Sequence, residues 1–155
     1  MSSDLAELYQ EVIIDHARRP RNFGELAGAT RTVEGLNPLC GDQLMLHLKI
    51  ADGHIADIAF EGVGCAISQA SASLMTMALK GMKEQEALVL FDRVHTMLTE
   101  GLTEEPAGRT PSAELGSIAA LSGVWQFPSR VKCAALAWHT LREALAADGP
   151  RAGTE

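Results

Sequence analysis

The sequence contains no apolar segment long enough to cross a bilayer and no excess of positive charge. Its longest uninterrupted apolar run extends from Cys133 to Trp138, far below the roughly 20 residues that a transmembrane helix needs. Its 13 Lys and Arg residues are outnumbered by 20 Asp and Glu residues, which gives a formal net charge of −7. Because an acidic molecule repels phosphate groups, we expect no nucleic-acid partner.

Basic residues are also missing from the start of the chain, where a signal peptide would carry them. Asp4, Glu7 and Glu11 stand there instead. This pattern does not fit a secretory signal, so we expect a cytoplasmic protein with no membrane partner.

Cysteine is scarce, with single residues at positions 40, 65 and 133. Three cysteines cannot all pair with one another, and such wide spacing is not that of a small secreted disulfide framework. Free thiols or thiolate metal ligands are therefore the better interpretation.

The apolar residues that are present predict an α+β fold, with a three-stranded antiparallel sheet packed against several helices. Helical spacing predicts helices over residues 4–16, 65–80, 83–98 and 114–121 and in a last segment that begins at Pro128. Alternating or β-prone stretches predict strands over residues 30–34, 43–50 and 57–61, the last two joined by a hairpin turn at residues 52 and 53. Residues 99–112 are rich in Gly, Pro and acidic side chains and predict a flexible connection within one domain.

The cysteines lie where side chains from distant segments can meet. Cys40 and Asp42 are two residues apart before a strand, and residues i and i+2 of extended backbone face the same way. Cys65 precedes a predicted helix, whose positive N-terminal end favours a thiolate. Cys133 lies in the first turns of the last helix, at the border of its apolar stripe.

A shared site for the three cysteines competes with a simpler interpretation. Free cysteine is among the most buried residue types, so each cysteine alone could be a core residue. Positions at loop ends and helix starts favour a shared site over three independent core positions. Three thiolates and the Asp42 carboxylate would then form a tetrahedral donor set that suits zinc or iron.

The histidines are weaker ligand candidates. His139 is six positions after Cys133, about 120° around the helix and about 9 Å along it, so the two cannot bind one ion without distortion of the helix. The others are expected on the exposed face of a strand, in the hairpin turn, or on helices without a ligand partner: His47, His54, His16 and His95.

Three short segments surround the cysteines. They are residues 36–42 (Leu-Asn-Pro-Leu-Cys-Gly-Asp), 62–68 (Gly-Val-Gly-Cys-Ala-Ile-Ser) and 130–134 (Arg-Val-Lys-Cys-Ala). In order and context they resemble the three cysteine motifs of the NifU/IscU/SufU family of iron–sulfur cluster assembly proteins. Residues 9–22 resemble the N-terminal segment of that family. The resemblance thus predicts a single NifU-N/SufU-like domain over residues 1–147, followed by a flexible C-terminal tail over residues 148–155.

Within the family, the sequence resembles the SufU branch more than the IscU branch. Lys132 stands where IscU-type proteins have a histidine directly before the third cysteine. Residues 99–121 are the natural candidate for the inserted segment that SufU-type proteins carry before the last helix. Residues 125–129 (Trp-Gln-Phe-Pro-Ser) replace the Leu-Pro-Pro-Val-Lys chaperone-recognition motif of IscU proteins, which argues against chaperone-driven cluster transfer.

The resemblance also implies a ligand set and partners. It implies a zinc ion on Cys40, Asp42, Cys65 and Cys133, and a SufS-like cysteine desulfurase that delivers sulfur as a persulfide. Cys40 is our candidate catalytic residue, the acceptor of that sulfur, because a glycine-flanked loop makes it the most mobile ligand. Downstream iron–sulfur assembly or acceptor proteins would follow.

Three functions remain open at this point. The chain could be a zinc-dependent sulfur acceptor, which is sulfurtransferase-like although its status as an enzyme stays open. It could instead be a scaffold on which a transient [2Fe–2S] or [4Fe–4S] cluster is built on the same cysteines. It could also be a zinc-stabilised interaction module. Lys132 favours the first function over the second, because it removes a histidine that could join a cluster.

Two basic groups have open roles. Arg18, Arg19 and Arg21 could form a docking patch, but cations at the end of a helix also complement its dipole. Arg130 and Lys132 could stabilise the negative charge of a persulfide, or they could simply be solvated cations.

Overall fold

Three strands form one antiparallel sheet in the order β1-β2-β3. The structure is a computed structural model and describes residues 2–37, 41–100 and 116–146, with side chains from residue 8 onward. The strands are β1 (Arg31–Asn37), β2 (Asp42–Ala51) and β3 (His54–Val63). In β2, Leu44, Leu46 and Leu48 are buried while alternate residues face outward. One face of the sheet therefore carries the core, as the period of two in the sequence requires.

In the described part of the chain, four α-helices pack around that apolar face. They are α1 (Ser2–Arg18), α2 (Ala66–Leu79), α3 (Glu84–Glu100) and α4 (Pro128–Ala146), with two 3₁₀ helices at Gly116–Leu121 and Val124–Gln126. Burial of aliphatic and aromatic side chains between the sheet and the helices stabilises the fold. The largest buried side chains include Trp138, Phe60, Leu46, Leu48, Met75 and Leu98.

Helix α4 lies directly on β1 at one glycine. A Cβ atom at Gly35 would collide with the Thr140 hydroxyl and would lie 3.3 Å from Leu136 Cδ1. Only a residue without a side chain allows this close approach. The contact fixes where α4 sits on the sheet, and so fixes the position of Cys133 at its N-terminal end.

The outer edge of β3 is paired with the segment that follows α1. The Gly24 amide donates to the Phe60 carbonyl, and the Phe60 amide donates to the Asn22 carbonyl, at 2.8 and 3.0 Å. The Phe23 ring meets Phe60 edge-on, with the ring centroids 5.1 Å apart. This short pairing ties the start of the chain to the sheet.

The predicted fold class is confirmed, and the element bounds differ in detail. The strands are longer than predicted, and α1 extends from Ser2 to Arg18. Helix α3 runs to Glu100, so the first two residues of the segment predicted as flexible are helical. The predicted helix over residues 114–121 is a 3₁₀ helix from Gly116. Residues 101–115 and the predicted tail over residues 148–155 lie outside the described residues.

Among the described residues, no helix combines the length and apolar character that a membrane-spanning segment requires.

Candidate metal centre

Asp42 is held at the turn between β1 and β2. It is the first residue of β2, lies opposite Asn37 in the register and is only 1% exposed. The Gly41 amide donates to the Asn37 carbonyl at 2.9 Å, and Gly41 has a φ of +73°, which favours glycine. The hairpin turn thus places a carboxylate inside the protein rather than in solvent.

Cys65 meets Asp42 through its backbone. It is the N-cap residue of α2, and its amide donates to Asp42 Oδ1 at 3.1 Å. Gly64 makes this possible, because a Cβ atom at position 64 would lie 2.6 Å from the same oxygen. The positive end of α2 also lies close to this negative charge. The start of α2 therefore orients both the carboxylate and the Cys65 thiol.

Cys133 comes to the same place from α4. Pro128 begins this helix, where a missing amide hydrogen costs nothing. The Cys133 side chain lies one turn further on, is 2% exposed and lies 3.6 Å from the Ser129 carbonyl. Helix α4 thus delivers a buried sulfur to the end of the sheet that carries Asp42.

These three residues form a group that fits a metal ion. One ligand atom from each of Asp42, Cys65 and Cys133 lies within 4.8 Å of the others, the single such group found in the described part of the chain. Around one zinc ion, tetrahedral ligand atoms lie roughly 3.5–4 Å apart, so only a small closure is needed. Asp42 Oδ2 is buried and has no hydrogen-bond partner among the residues that the structure describes, and a cation would satisfy this acceptor. Two sulfurs and one carboxylate suit zinc or iron.

Comparison with known proteins gives the family. The family described as NifU-like N terminal domain matches residues 8–146. The chain belongs to the NifU/IscU/SufU family of iron–sulfur cluster assembly proteins.

Relatives resemble the chain along most of its length. It is 44% identical over 143 residues to the iron-sulfur cluster assembly scaffold protein IscU of Streptococcus pyogenes serotype M1, covering 92% of this chain and 86% of that one. It is 40% identical over 145 residues to the zinc-dependent sulfurtransferase SufU of Bacillus subtilis, covering 94% of each. A crystal structure described as a scaffold for the SUF system, from Fervidobacterium islandicum, matches with a TM-score of 0.76 and 35% identity over 87% of this chain and 94% of that chain.

The structure brings together three of the four ligands that this family resemblance implied. Cys40 lies outside the described residues, although a single peptide bond joins it to Gly41 at the hairpin. Its role as the acceptor and as the fourth ligand stays a prediction.

The histidines lie away from this centre. His47 was expected on an exposed face, but Thr32 contacts its Nδ1 at 3.1 Å and Glu61 lies 3.7 Å from Nε2, so cross-strand neighbours cover it. His16 is buried in the core against Ser73, 2.7 Å from its Oγ.

His95 and His139 meet each other between α3 and α4. Their ring centroids are 5.5 Å apart. Burial lowers the pKa of His139, with further contributions from His95 and Arg142. The lowered pKa favours the neutral form of the His139 ring, and neither histidine belongs to the Asp42–Cys65–Cys133 group.

The structure shows the surroundings of both groups of basic residues. Asp15 forms ion pairs with Arg19 and Arg21 at 2.7 and 2.6 Å, so these two cations are partly neutralised locally. The hydrogen bond from Arg21 makes the largest contribution to the lowered pKa of Asp15. Arg130 and Lys132 are exposed on the first turns of α4, and Arg130 lines a groove of about 690 Å³ together with Ile67 of α2.

Two residues that shape the centre were missed by sequence reasoning. Gly64 was visible only as part of a cysteine motif, although a glycine directly before an N-cap cysteine is a usable signal of close packing. Asn37 was also only a motif member, yet it is 7% exposed and lies directly opposite Asp42. Nothing in the local pattern predicted that an asparagine at a hairpin would be buried.

Proposed function

We propose that this protein acts in iron–sulfur cluster assembly as a zinc-dependent acceptor of sulfur from a cysteine desulfurase. The observation that carries the proposal is the Asp42–Cys65–Cys133 group, in which Asp42 and Cys133 are buried and Cys65 is half-buried, and in which Asp42 lies two residues after Cys40 in the chain. Similarity to the B. subtilis relative, which is named a zinc-dependent sulfurtransferase, supports it.

The donor set explains why a metal would serve this chemistry. Asp42, Cys65 and Cys133 would hold a zinc ion together with Cys40. When bound, zinc keeps its cysteine ligands deprotonated at neutral pH and protects them from oxidation. No other property of the metal is needed, because sulfur transfer between thiols is not a net oxidation or reduction.

The transfer itself is a thiol exchange on a persulfide. The Cys40 thiolate attacks the outer sulfur of a persulfide on the desulfurase, and a new S–S bond forms on Cys40. The S–S bond in the desulfurase persulfide breaks, and its electron pair leaves with the desulfurase cysteine as a thiolate. One sulfur atom moves, and no external oxidant or reductant is consumed.

Asp42 and Cys65 have the task of keeping the centre intact while Cys40 reacts. The Cys65 amide holds Asp42 Oδ1 at 3.1 Å, and the carboxylate is shielded from solvent. A carboxylate oxygen is also the ligand that a thiophilic metal holds least strongly in this set. Asp42 therefore combines fixed placement with an exchangeable bond.

The main alternative is a scaffold for a [2Fe–2S] or [4Fe–4S] cluster on the same cysteines. The names of the S. pyogenes and F. islandicum relatives favour it. Lys132 argues against it, because this exposed side chain replaces a histidine that could join a cluster. Metal and sulfide analysis of protein purified without oxygen separates the two: one zinc per chain supports the sulfur acceptor, whereas iron with acid-labile sulfide supports the scaffold.

A desulfurase assay tests the acceptor role. We expect the wild-type protein to accelerate desulfurase turnover and Cys40→Ser to abolish that acceleration, because serine cannot form a persulfide. Acceleration that survives in Cys40→Ser would move the acceptor role to Cys65 or Cys133. If no variant and no wild-type sample accelerates the desulfurase while zinc stays bound, the third function, a zinc-stabilised interaction module, is correct.

Asp42 provides a sharper test of the mechanism. Asp42→Cys would give four sulfur ligands, the set of closed structural zinc sites, and should retain zinc against a chelator at least as well as wild type. We expect this variant to lose most sulfur-acceptor activity because its ligands exchange too slowly. Full activity together with tighter metal retention would show that an exchangeable ligand is not part of the mechanism.

A further inference from the structure

Asn37 carries an unused hydrogen-bond donor next to the metal centre. Its side chain is 93% buried, and Nδ2 has no acceptor among the described residues. A buried amide that donates no hydrogen bond is destabilising, and such groups are few in folded proteins. An unpaired donor at this position therefore calls for a functional explanation.

The register points the Asn37 side chain to the same side of the sheet as Asp42. Asn37 and Asp42 are direct partners across the hairpin, and opposed residues of antiparallel strands project to one face with Cβ atoms about 4.5–5.5 Å apart. Val33 and Gly35 precede Asn37 on that face, and Gly35 lies under α4. The carboxamide is thus on the side from which α4 brings Cys133.

The two unpartnered atoms of this residue pair have opposite polarity. Asp42 Oδ2 is an acceptor that a cation satisfies, whereas Asn37 Nδ2 is a donor that a cation cannot satisfy. A bare metal ion would therefore satisfy the Asp42 acceptor but would leave the Asn37 donor without a partner. The Asn37 donor needs an electron-rich acceptor, and the two cysteine sulfurs of the centre become anionic acceptors when they are deprotonated.

We propose that the Asn37 carboxamide donates a hydrogen bond to an anionic sulfur held at this centre. The sulfur has two sources: a cysteine thiolate bound to the metal, or the persulfide sulfur that the desulfurase delivers. In either case, the N–H group stabilises the negative charge, because hydrogen bonds to charged groups are the strong ones. The second source depends on the proposed function, whereas the first depends only on metal binding.

Asn37→Leu removes the donor, and the chain offers a matched control. Gln43 is the next residue of the hairpin after Asp42 and is exposed on the opposite face of the sheet. Gln43→Leu makes the same amide-to-leucine change without touching the centre. Asn37→Ala is the second variant, in case leucine does not fit.

The first measurement is the stability of the metal-free protein. A donor without an acceptor costs free energy in this state, so Asn37→Leu should unfold at an equal or higher denaturant concentration than wild type. A residue with a merely structural role would give the opposite result. A large loss of stability in both Asn37 variants would overturn the proposal.

The second measurement uses Co²⁺ in place of zinc. Sulfur-to-cobalt charge-transfer bands report the electron density on the bound thiolates, and hydrogen bonds to a metal-bound sulfur lower it. A shift of these bands to longer wavelength in the Asn37 variants, absent in Gln43→Leu, identifies a resident thiolate as the acceptor.

The third measurement is the lifetime of the persulfide in the presence of dithiothreitol. Mass spectrometry detects the persulfide by the mass of one added sulfur atom. We expect about tenfold faster loss in the Asn37 variants than in wild type or Gln43→Leu, the effect of one hydrogen bond to a charged group. This result identifies the delivered sulfur as the acceptor.

Persulfide sulfur is added to each sample in two ways, once by a cysteine desulfurase and once by inorganic polysulfide. Failure of the desulfurase to load wild type would contradict the proposed function, while the cobalt spectra and the polysulfide-loaded samples still test Asn37. Unchanged charge-transfer bands together with an unchanged persulfide lifetime would show that water, not sulfur, satisfies the Asn37 donor, and would overturn the inference.

Discussion

Replacing Gly64 by alanine should disturb the metal centre without any change to a ligand. The new Cβ atom would lie 2.6 Å from Asp42 Oδ1 and would also collide with the Ser68 hydroxyl. Ordinary contact begins near 3.4 Å, so the carboxylate must move by roughly 3.4 − 2.6 = 0.8 Å. A shift of that size directed away from the Cys65 amide would lengthen the present 3.1 Å hydrogen bond beyond the useful range.

The energetic cost of Gly64→Ala follows from these two effects. Losing a hydrogen bond to a charged group costs about 1.5–3 kcal/mol, and inserting a methyl group into a packed region costs about 1–3 kcal/mol. Because Ser68 and Asp42 meet the methyl group with side-chain ends that can move, we expect a total of about 2–4 kcal/mol. Zinc retention should fall further, since the displaced atom belongs to a proposed ligand of the metal.

Denaturant unfolding of the metal-free protein and zinc release to a chromogenic chelator measure the two parts separately. Gly123→Ala is the matched control, because Gly123 has a φ of −88° and a Cβ atom there would meet nothing within 4 Å. Unchanged zinc release in Gly64→Ala would refute the argument that the glycine makes room for the carboxylate. Partial recovery of stability in a Gly64→Ala/Ser68→Ala double variant would support it.

Three further predictions concern the surrounding fold. Burial and the nearby Arg21 charge hold the pKa of His16 below its usual value of 6.5, so the unfolded chain binds the proton more readily than the folded one. The stabilisation should therefore be full above about pH 6.5 and fall as the pH drops toward the folded-state pKa. In His16→Gln, the denaturant midpoint of unfolding should depend less on pH in this range. Gly35→Ala should lower the free energy of unfolding by about 1–3 kcal/mol, and adding Thr140→Ala should recover part of the loss in the same measurement. Trp138→Phe removes the 3.1 Å indole hydrogen bond to Ser71 Oγ and should lower the free energy of unfolding by about 1–3 kcal/mol, measured by thermal or chemical unfolding. A variant as stable as wild type would mean that this buried contact contributes nothing to stability.

The parts of the fold that depend on neighbours in sequence could be predicted. The alternation in β2 and the turn at Asp52 and Gly53 define a hairpin within about twenty residues, and the structure contains that hairpin. The helical stripe that includes Trp138 likewise predicted α4. Local patterns are sufficient here because each element buries one face by its own periodicity.

The parts that depend on distant residues could not be predicted in this way. His16 meets Ser73 across 57 positions of sequence, and neither residue carries a local signal of that contact. The covering of His47 depends on which residues lie beside it on β1 and β3, so the alternation that correctly put it on the outer face could not predict its burial. The 3₁₀ helix at Val124–Gln126 was also not predicted, because it is too short to show a period.

The prediction of the candidate site used more than the spacing of its residues. Loop ends and helix starts favoured convergence of the cysteines, while the specific ligand set came from resemblance to a family. The structure places Asp42, Cys65 and Cys133 together. The unpaired donor of Asn37 was beyond prediction, because burial of a polar atom depends on how α4 packs over the end of β1.

In the proposed metal centre, the order of the ligand residues along the chain would tie metal capture to the completion of folding. Asp42 and Cys65 can meet once β2, β3 and the start of α2 have formed, but Cys133 follows Cys65 by 68 positions, on the last helix. Closing such a long loop carries an entropic cost that local contacts do not. During synthesis, a ribosome-bound chain without α4 would have at most a partial and weak form of the proposed site, so premature loading would be avoided. Tight binding would then be a late event that marks a finished molecule, and a bound metal would stabilise the completed state alone.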